Sequence, residues 1–386
     1  MNKRIIQLAL PNIISNITLP LLGLVDTAIM GHLDSTDYIA AIAIGGVVFN
    51  MIYWNLAVVR MSTTGLVAQA FGREDSTEEL SVVLRGLAVA VISGFLLITC
   101  QWPIAEFSFW LIHADAHVTE IARHYFSVRI YAAPATVANF VFIGYFLGKQ
   151  RASIAMILTI VINGINTVMS LALVYGLDMK EEGVALGTVI GQYVGLAVSL
   201  FYFLRTTPEW KSLYAGKAVW LMQEMKRYFE VNGALVIRTA TLAFAFSFFK
   251  VQYTDSDIIL ASTNLLLLEV GMFMAFAIDG FAFAAESLAG AYYGAGDVPN
   301  LKKCVRLNIR WGYGLGLLFS VIFLVFGQEM ISWLTDKDEV IIAAGDYLFW
   351  LAILPPASTL AFIFDGVFIG ITRTRALVVT MLIATF

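Results

Sequence analysis

Residues 5–31 read IIQLALPNIISNITLPLLGLVDTAIMG. The stretch is long and apolar enough to cross a bilayer, which takes roughly 20 residues. Pro11, Pro20 and Asp26 do not suit a passive anchor. A proline inside a helix removes one backbone donor and frees the carbonyl four residues back, here those of Gln7 and Asn16. In lipid such carbonyls need partners from neighbouring helices or cavity water. A carboxylate inside a span costs roughly 2.5–3.5 kcal/mol on insertion scales, so it faces protein or a wet cavity. Asp26 lies about eight residues past mid-span, ~12 Å toward the exit side at ~1.5 Å per residue. A helix that can bend and carries a protonatable group suggests a proton-driven moving part. The plainer reading is a packed helix with Asp26 hydrogen-bonded as structure.

The rest of the chain has the same character. Hydrophobic residues make up 59% and charged residues 13%, against roughly 25% charged in soluble domains. This predicts a polytopic all-α membrane protein and excludes an ordinary soluble enzyme. The two cysteines, Cys100 and Cys304, have no metal or disulfide spacing. No signal-type cleavage site follows Met1–Arg4. Ten apolar spans are expected, near 5–31, 38–71, 80–102, 121–148, 153–176, 184–205, 228–251, 258–293, 307–328 and 343–370, with an eleventh from about 376. Residues 206–227 form a polar, basic linker with an amphipathic pattern, expected as an interfacial helix.

Most of the 24 Lys and Arg fall at one set of span ends, from Lys3, Arg4, Arg73 and Arg85 through Lys149, Arg151, Lys211, Lys217 and Lys226 to Lys302, Arg373 and Arg375. The opposite ends keep few cations, among them Arg123, Lys180, Lys250 and Lys337. They are rich in acids such as Asp34, Asp37, Glu181, Asp255, Asp257 and Asp336. The positive-inside rule then makes the N-terminus and the linker cytoplasmic. Arg60, Arg129 and Arg238 lie inside spans.

A shift of 222 residues superposes fixed points: Gly72 on Gly294, Asp75 on Asp297, Tyr125 on Tyr347, Pro134 on Pro356 and Arg151 on Arg373. It also lays Phe142-x-Gly144-x-Phe146-x-Gly148 on Phe364-x-Gly366-x-Phe368-x-Gly370. Six spans separate equivalents, so both halves cross in the same direction, as in a parallel repeat whose halves enclose a cleft and rock. The expected organisation is an N-lobe over 1–205, a linker over 206–227 and a C-lobe over 228–386. On this arithmetic Phe386 falls within span eleven of a twelve-span whole.

Four blocks resemble a known family: LALPNIISNITLPLLGLVDTAIMGHL, RMSTTGLVAQAFGRED, AIDGFAFAAESLAGAYYGAGD and FDGVFIGITRTR. They are similar to the DinF branch of the multidrug and toxic compound extrusion (MATE) family, over nearly the whole chain. The resemblance implies two six-helix bundles and a secondary exporter of amphipathic, often cationic organic compounds, exchanged for protons or sodium. It further implies a monomer in the bacterial inner membrane, surrounded by lipid, with no nucleic-acid partner, cofactor or resident metal. Asp26 matches the first-helix coupling aspartate, and Pro11 and Pro20 match its hinge positions. Asn163 and Asn166 match the fifth-helix asparagines that surround that aspartate. Ser170 stands where many relatives carry a second aspartate, so no carboxylate pair is available there. Asp365 matches an acidic position of the sodium-coupled branch, Arg238 replaces that branch's seventh-helix glutamate, and Asp279 and Glu286 are typical of the DinF branch.

Asp279 and Glu286 are two helical turns apart and share a face. With Asp365 and Arg238 they are expected to line a C-lobe cavity, or to be neutralised by Arg238 as structure. Glu269 has no second feature pointing to it, Arg60 is expected to snorkel or pair with an acid, and Gln69 to act as a packing hydrogen-bonder. His113 and His117 share a helical face without a metal motif, and with His124 are expected in solvent. The Phe and Met content suits an adaptable cavity but is mostly lipid-facing or core. The leading function is proton-coupled export, with protonation of Asp26 altering its hydrogen bonds to Asn163 and Asn166 and bending the first helix. The alternatives are sodium-coupled antiport and a lipid-linked precursor flippase, the latter disfavoured by few intramembrane cations. No nucleophile–base pair or metal motif supports an intramembrane enzyme.

Overall fold

A computed structural model describes residues 1–33, 35–214, 219–254 and 258–386, and leaves aside the side chains of Leu19 and of residues 250–254. Asp34, Lys217, Asp255 and Asp257, and the side chain of Lys250, therefore lie outside the described residues. The rest is almost wholly helical. The helices are α1 (Asn2–Gly31), α2 (Asp37–Leu56), α3 (Val58–Gly72), α4 (Ser76–Thr99), α5 (Gln101–Ile112), α6 (Ala116–Arg129), α7 (Ala133–Gly148), α8 (Ala152–Leu177), α9 (Lys180–Thr206) and α10 (Trp210–Leu213). They continue with α11 (Met222–Thr254), α12 (Ile258–Gly294), α13 (Val298–Ser332), α14 (Asp338–Gly370) and α15 (Thr374–Thr385). Among the described residues, ten segments are long and apolar enough to span a membrane, and they coincide with the ten expected spans. Two are composite. The second divides at Ala57 into α2 and α3, and the fourth divides at a 3-10 turn, Ile130–Ala132, just ahead of Pro134.

Among the described residues of the linker, Trp210–Leu213 form one α-helical turn and residues 219–220 a 3-10 turn before α11 begins at Met222. Val219 is buried, and its carbonyl accepts a 2.8 Å bond from Arg85 Nε. That anchor ties the end of the linker to α4.

The repeat is visible in local chemistry. Asp75 caps α4 by accepting from Glu78 N at 3.0 Å, and its equivalent Asp297 caps α13 by accepting from Asn300 N at 3.1 Å. Both carboxylates serve helix N-termini, whose first amides lack internal partners. Bonds from the Asn300 side chain, then from its backbone, hold the Asp297 carboxyl below its ordinary range. Left-handed turn residues also recur: Glu74 and Gly296 before these caps, Gln150 and Thr372 before α8 and α15.

Helix association in a membrane depends on close packing of small residues, and the glycine motifs provide it. A Cβ on Gly148 would meet the Thr64 carbonyl at 2.9 Å; one on the equivalent Gly370 would collide with the Glu286 carbonyl. The halves meet reciprocally. A Cβ on Gly72 would collide with the Ala291 carbonyl, and one on Gly294 with the Gln69 carbonyl, and these two contacts exchange under the 222-residue shift.

The two ends of the bundle differ. At the end bearing Arg73, Lys149 and Arg373, one hydrophobic core runs through both halves, from Ile5, Leu66 and Phe146 to Phe281, Leu288 and Val367. Polar bonds close the same end: Gln69 Nε2 donates to Gly370 O at 2.9 Å and to Thr372 Oγ1 at 3.0 Å, and Ser287 Oγ to Leu147 O at 2.6 Å. At the acidic end the cores are separate. One gathers Met30, Phe49, Phe126 and Val184 of the first half; the other gathers Leu267, Met274, Phe323 and Leu351 of the second. The buried core is thus shared by the halves at the basic end and separate in each half toward the acidic end.

Candidate functional site

α1 is unbroken through Pro11 and Pro20 and packs against both α8 of its own half and α12 of the other. Side chains beside the prolines bond back to helix carbonyls: Asn12 Nδ2 to Leu8 O at 2.8 Å and Ser15 Oγ to Pro11 O at 3.0 Å. Bonds of this kind favour local bending. Asn16 Nδ2 crosses to Phe276 O on α12 at 3.1 Å. A movement of α1 would therefore be felt on α12.

Asp26 is buried at 8% exposure, and its Oδ1 has no hydrogen-bond partner among the described residues. The expected bonds to the asparagines are corrected here. Asn163 Nδ2 donates to Thr18 Oγ1 at 3.2 Å, on α1 but two turns before Asp26. Asn166 Nδ2 donates to Thr188 Oγ1 at 3.0 Å and Asn166 Oδ1 accepts from Ser170 at 3.2 Å. Asn166 and Ser170 thus belong to a buried α8–α9 network, sealed where a Cβ on Gly187 would collide with Ser170. The group whose charge acts on Asp26 is Arg129. Its guanidinium lies over the Phe49 ring, 4.7 Å from the centroid, and beside the Tyr125 ring at 5.4 Å, and donates to the Tyr125 hydroxyl. Tyr53 stacks on Phe49 at 5.7 Å. Arg129 is not among the site residues expected from the sequence; its one signal there is an arginine inside a span with Tyr125 one turn before it.

In the second half the acids do not form one network. Arg238 Nη2 pairs with Asp365 Oδ2 at 2.6 Å, joining α11 to α14. Glu286 pairs instead with Arg60 of α3, Nη1 to Oε2 at 3.8 Å. Asp279 makes no ion pair within 4 Å among the described residues, although Asp365, Arg60 and Arg238 all act on it electrostatically. Three carboxyls therefore face two guanidiniums. Asp279 is the one of the three left without an ion pair among the described residues. Glu269 is exposed. Of the outer histidines, His117 lies 3.9 Å from Asp37 and His124 3.7 Å from Glu181, both at exposed positions.

The MatE family model matches residues 11–172 and 235–386. DNA damage-inducible protein F of Escherichia coli K12 is 36% identical over 99% of this chain and 83% of its own length. A probable multidrug resistance protein NorM of Thermotoga maritima is 25% identical over 88% of this chain and 73% of its own. A solved outward-facing multidrug resistance MATE transporter superposes with a TM-score of 0.88 at 20% identity, over 100% of this chain and 86% of that one. A MATE structure in the straight conformation gives 0.90 and one in the bent conformation 0.89, each at 19% identity; they cover 100% and 99% of this chain and 86% and 85% of theirs. At such identities the likeness concerns the fold. The family match and the E. coli relative carry the assignment: the chain belongs to the MatE family, on its DinF-like branch.

Proposed function

We propose that this protein exports amphipathic, often cationic organic compounds in exchange for protons, with Asp26 as the coupling group. The family is one of multidrug efflux transporters, and this chain's residues support the finer reading. The observation that carries it is the buried Asp26 carboxyl, unbonded at Oδ1, on a helix with two internal prolines that packs against both halves. A carboxylate without a fixed partner is free to take up a proton. Its neutralisation removes the pull toward Arg129 and changes the force on α1. Bending at Pro11 or Pro20 would then shrink the first-half cavity and displace its substrate.

The lobes are residues 1–205 and 228–386, joined by the 206–227 linker. With the N-terminus and the basic end cytoplasmic, the shared core at the basic end and the separate cores toward the acidic end fit an outward-facing state. A bacterial inner-membrane location and a monomer fit this arrangement, and no cofactor is required. The surplus acid around Asp279 favours a second reading, in which the C-half takes the coupling ion, a proton or sodium.

The test is substrate-induced dissipation of an imposed proton gradient in proteoliposomes, with and without sodium. Dissipation that ignores sodium and vanishes in Asp26→Asn is the expected result. Sodium dependence, or an unaffected Asp26→Asn protein, would overturn the reading.

A further inference from the structure

The Arg60–Glu286 pair differs from every other buried ion pair described here, because it joins the two halves of the repeat. Arg60 is on α3 and Glu286 on α12, with side chains only 11% and 1% exposed. The Arg60 guanidinium also sits over the Phe283 ring, 4.3 Å from its centroid. Phe283 and Glu286 are three residues apart on α12, so both contacts come from one helical face. Arg238–Asp365, in contrast, lies wholly within the second half.

The placement follows from the repeat. Glu286 is the equivalent of Thr64, and Arg60 of Ala282. α3 and α12 cross where Gly290 closes on its own equivalent, Ala68, at 2.7 Å from an added Cβ. Only one of the two symmetry-related places therefore carries the charges, so the junction has a single pair. The pair is also incompletely satisfied: Arg60 Nη1 and Glu286 Oε1 have no hydrogen-bond partner among the described residues. Few hydrogen bonds would have to break with it. Its hold is electrostatic, strengthened by burial and lost when the helices separate and water enters.

We propose that Arg60 and Glu286 are a positioning pair for the transport cycle, holding α3 against α12 so that the basic end stays closed until the halves part there. This rests on the alternating-access reading above. The other charges facing Glu286 are Asp279 of its own helix and Asp365 of α14. Both are acids and oppose its charge, so Arg60 is the one cation that holds it, aided by the Thr64 hydroxyl. The glycine contacts and the shared core at this end resist separation in either charge state. The ion pair is the component that a change of charge can switch.

The experiment uses the full chain in lipid nanodiscs, with nitroxide labels at Ser76→Cys and Val298→Cys in a Cys100→Ser, Cys304→Ala background. These two sites are repeat equivalents, exposed at the first turns of α4 and α13. Electron–electron double resonance reads the distance between them. Glu286→Gln, which keeps the side-chain shape, is expected to raise the long-distance population about tenfold, and Arg60→Met to do the same. In the Arg60→Met background, Glu286→Gln is expected to add nothing, because coupled residues are not additive. Unchanged distances in both single variants would overturn the proposal. So would additive effects in the double variant, since a merely structural role would act independently. The wild-type protein with and without rhodamine 6G at two pH values serves as the separate arm. If its distances never change while the variants still open, alternating access driven by substrate and protons fails and the pair stands.

Discussion

The two halves of this chain share a backbone plan and differ in their buried charges. Caps, left-handed turns and glycine crossings recur at a 222-residue spacing, from Asp75 and Asp297 to Gly148 and Gly370. The buried charges do not recur. The first half places one acid, Asp26, within the field of one arginine held by aromatic rings. The second half has three acids, two of them ion-paired. Helix packing evidently constrains both copies, whereas the cavity chemistry has diverged. An unbonded acid can change its protonation state without breaking structure. A paired one cannot.

Removing the base from each half tests that contrast most strongly. Arg238→Gln strips Asp365 of its 2.6 Å partner and is expected to lower stability by about 3 kcal/mol, the low end for breaking a buried pair, because Asp365 keeps 24% side-chain exposure. Thermal unfolding in detergent measures this, and Arg238→Met with Asp365→Leu should recover most of it. The shared packing comes next. Gly72→Ala and Gly294→Ala force a Cβ onto a carbonyl, and each is expected to cost about 1–3 kcal/mol. Similar costs would support the reciprocal junction; a large difference would break it. Arg129→Gln is expected to cost about 1 kcal/mol from lost cation–π contacts, and to move the pH profile of transport more than it moves stability.

The smallest effect concerns the caps. Asp75→Ala is expected to cost about 1 kcal/mol. Asp297 has its carboxyl held below the ordinary range by Asn300. Its contribution is therefore present above the unfolded-chain value and is lost as pH falls through the lower folded value. An acid titration of wild type against Asp297→Asn should show the two stability curves converging at low pH.

The spans were legible because apolar runs and polar loops alternate strongly, and the repeat because prolines, arginines and capping aspartates hold register. The division at Ala57 was not legible, since neither proline nor glycine marks it. The bond that holds Val219 to Arg85 was not legible in the linker's amphipathic pattern. At the site, Asp26 could be picked out as a costly charge in an apolar run. Its surroundings could not. Asn166 and Ser170 are consumed by an α8–α9 network set by helix rotation, and the choice of Arg60 over Arg238 as the partner of Glu286 depends on how α3 crosses α12.

The central claim is that Asp26, and not the surplus acid of the second half, exchanges a proton for substrate. The most direct measurement is proton release on binding ethidium, by calorimetry in buffers of different ionisation enthalpy. The account predicts that wild type and Asp279→Asn each release a proton and that Asp26→Asn releases none. Release preserved in Asp26→Asn and lost in Asp279→Asn would contradict it.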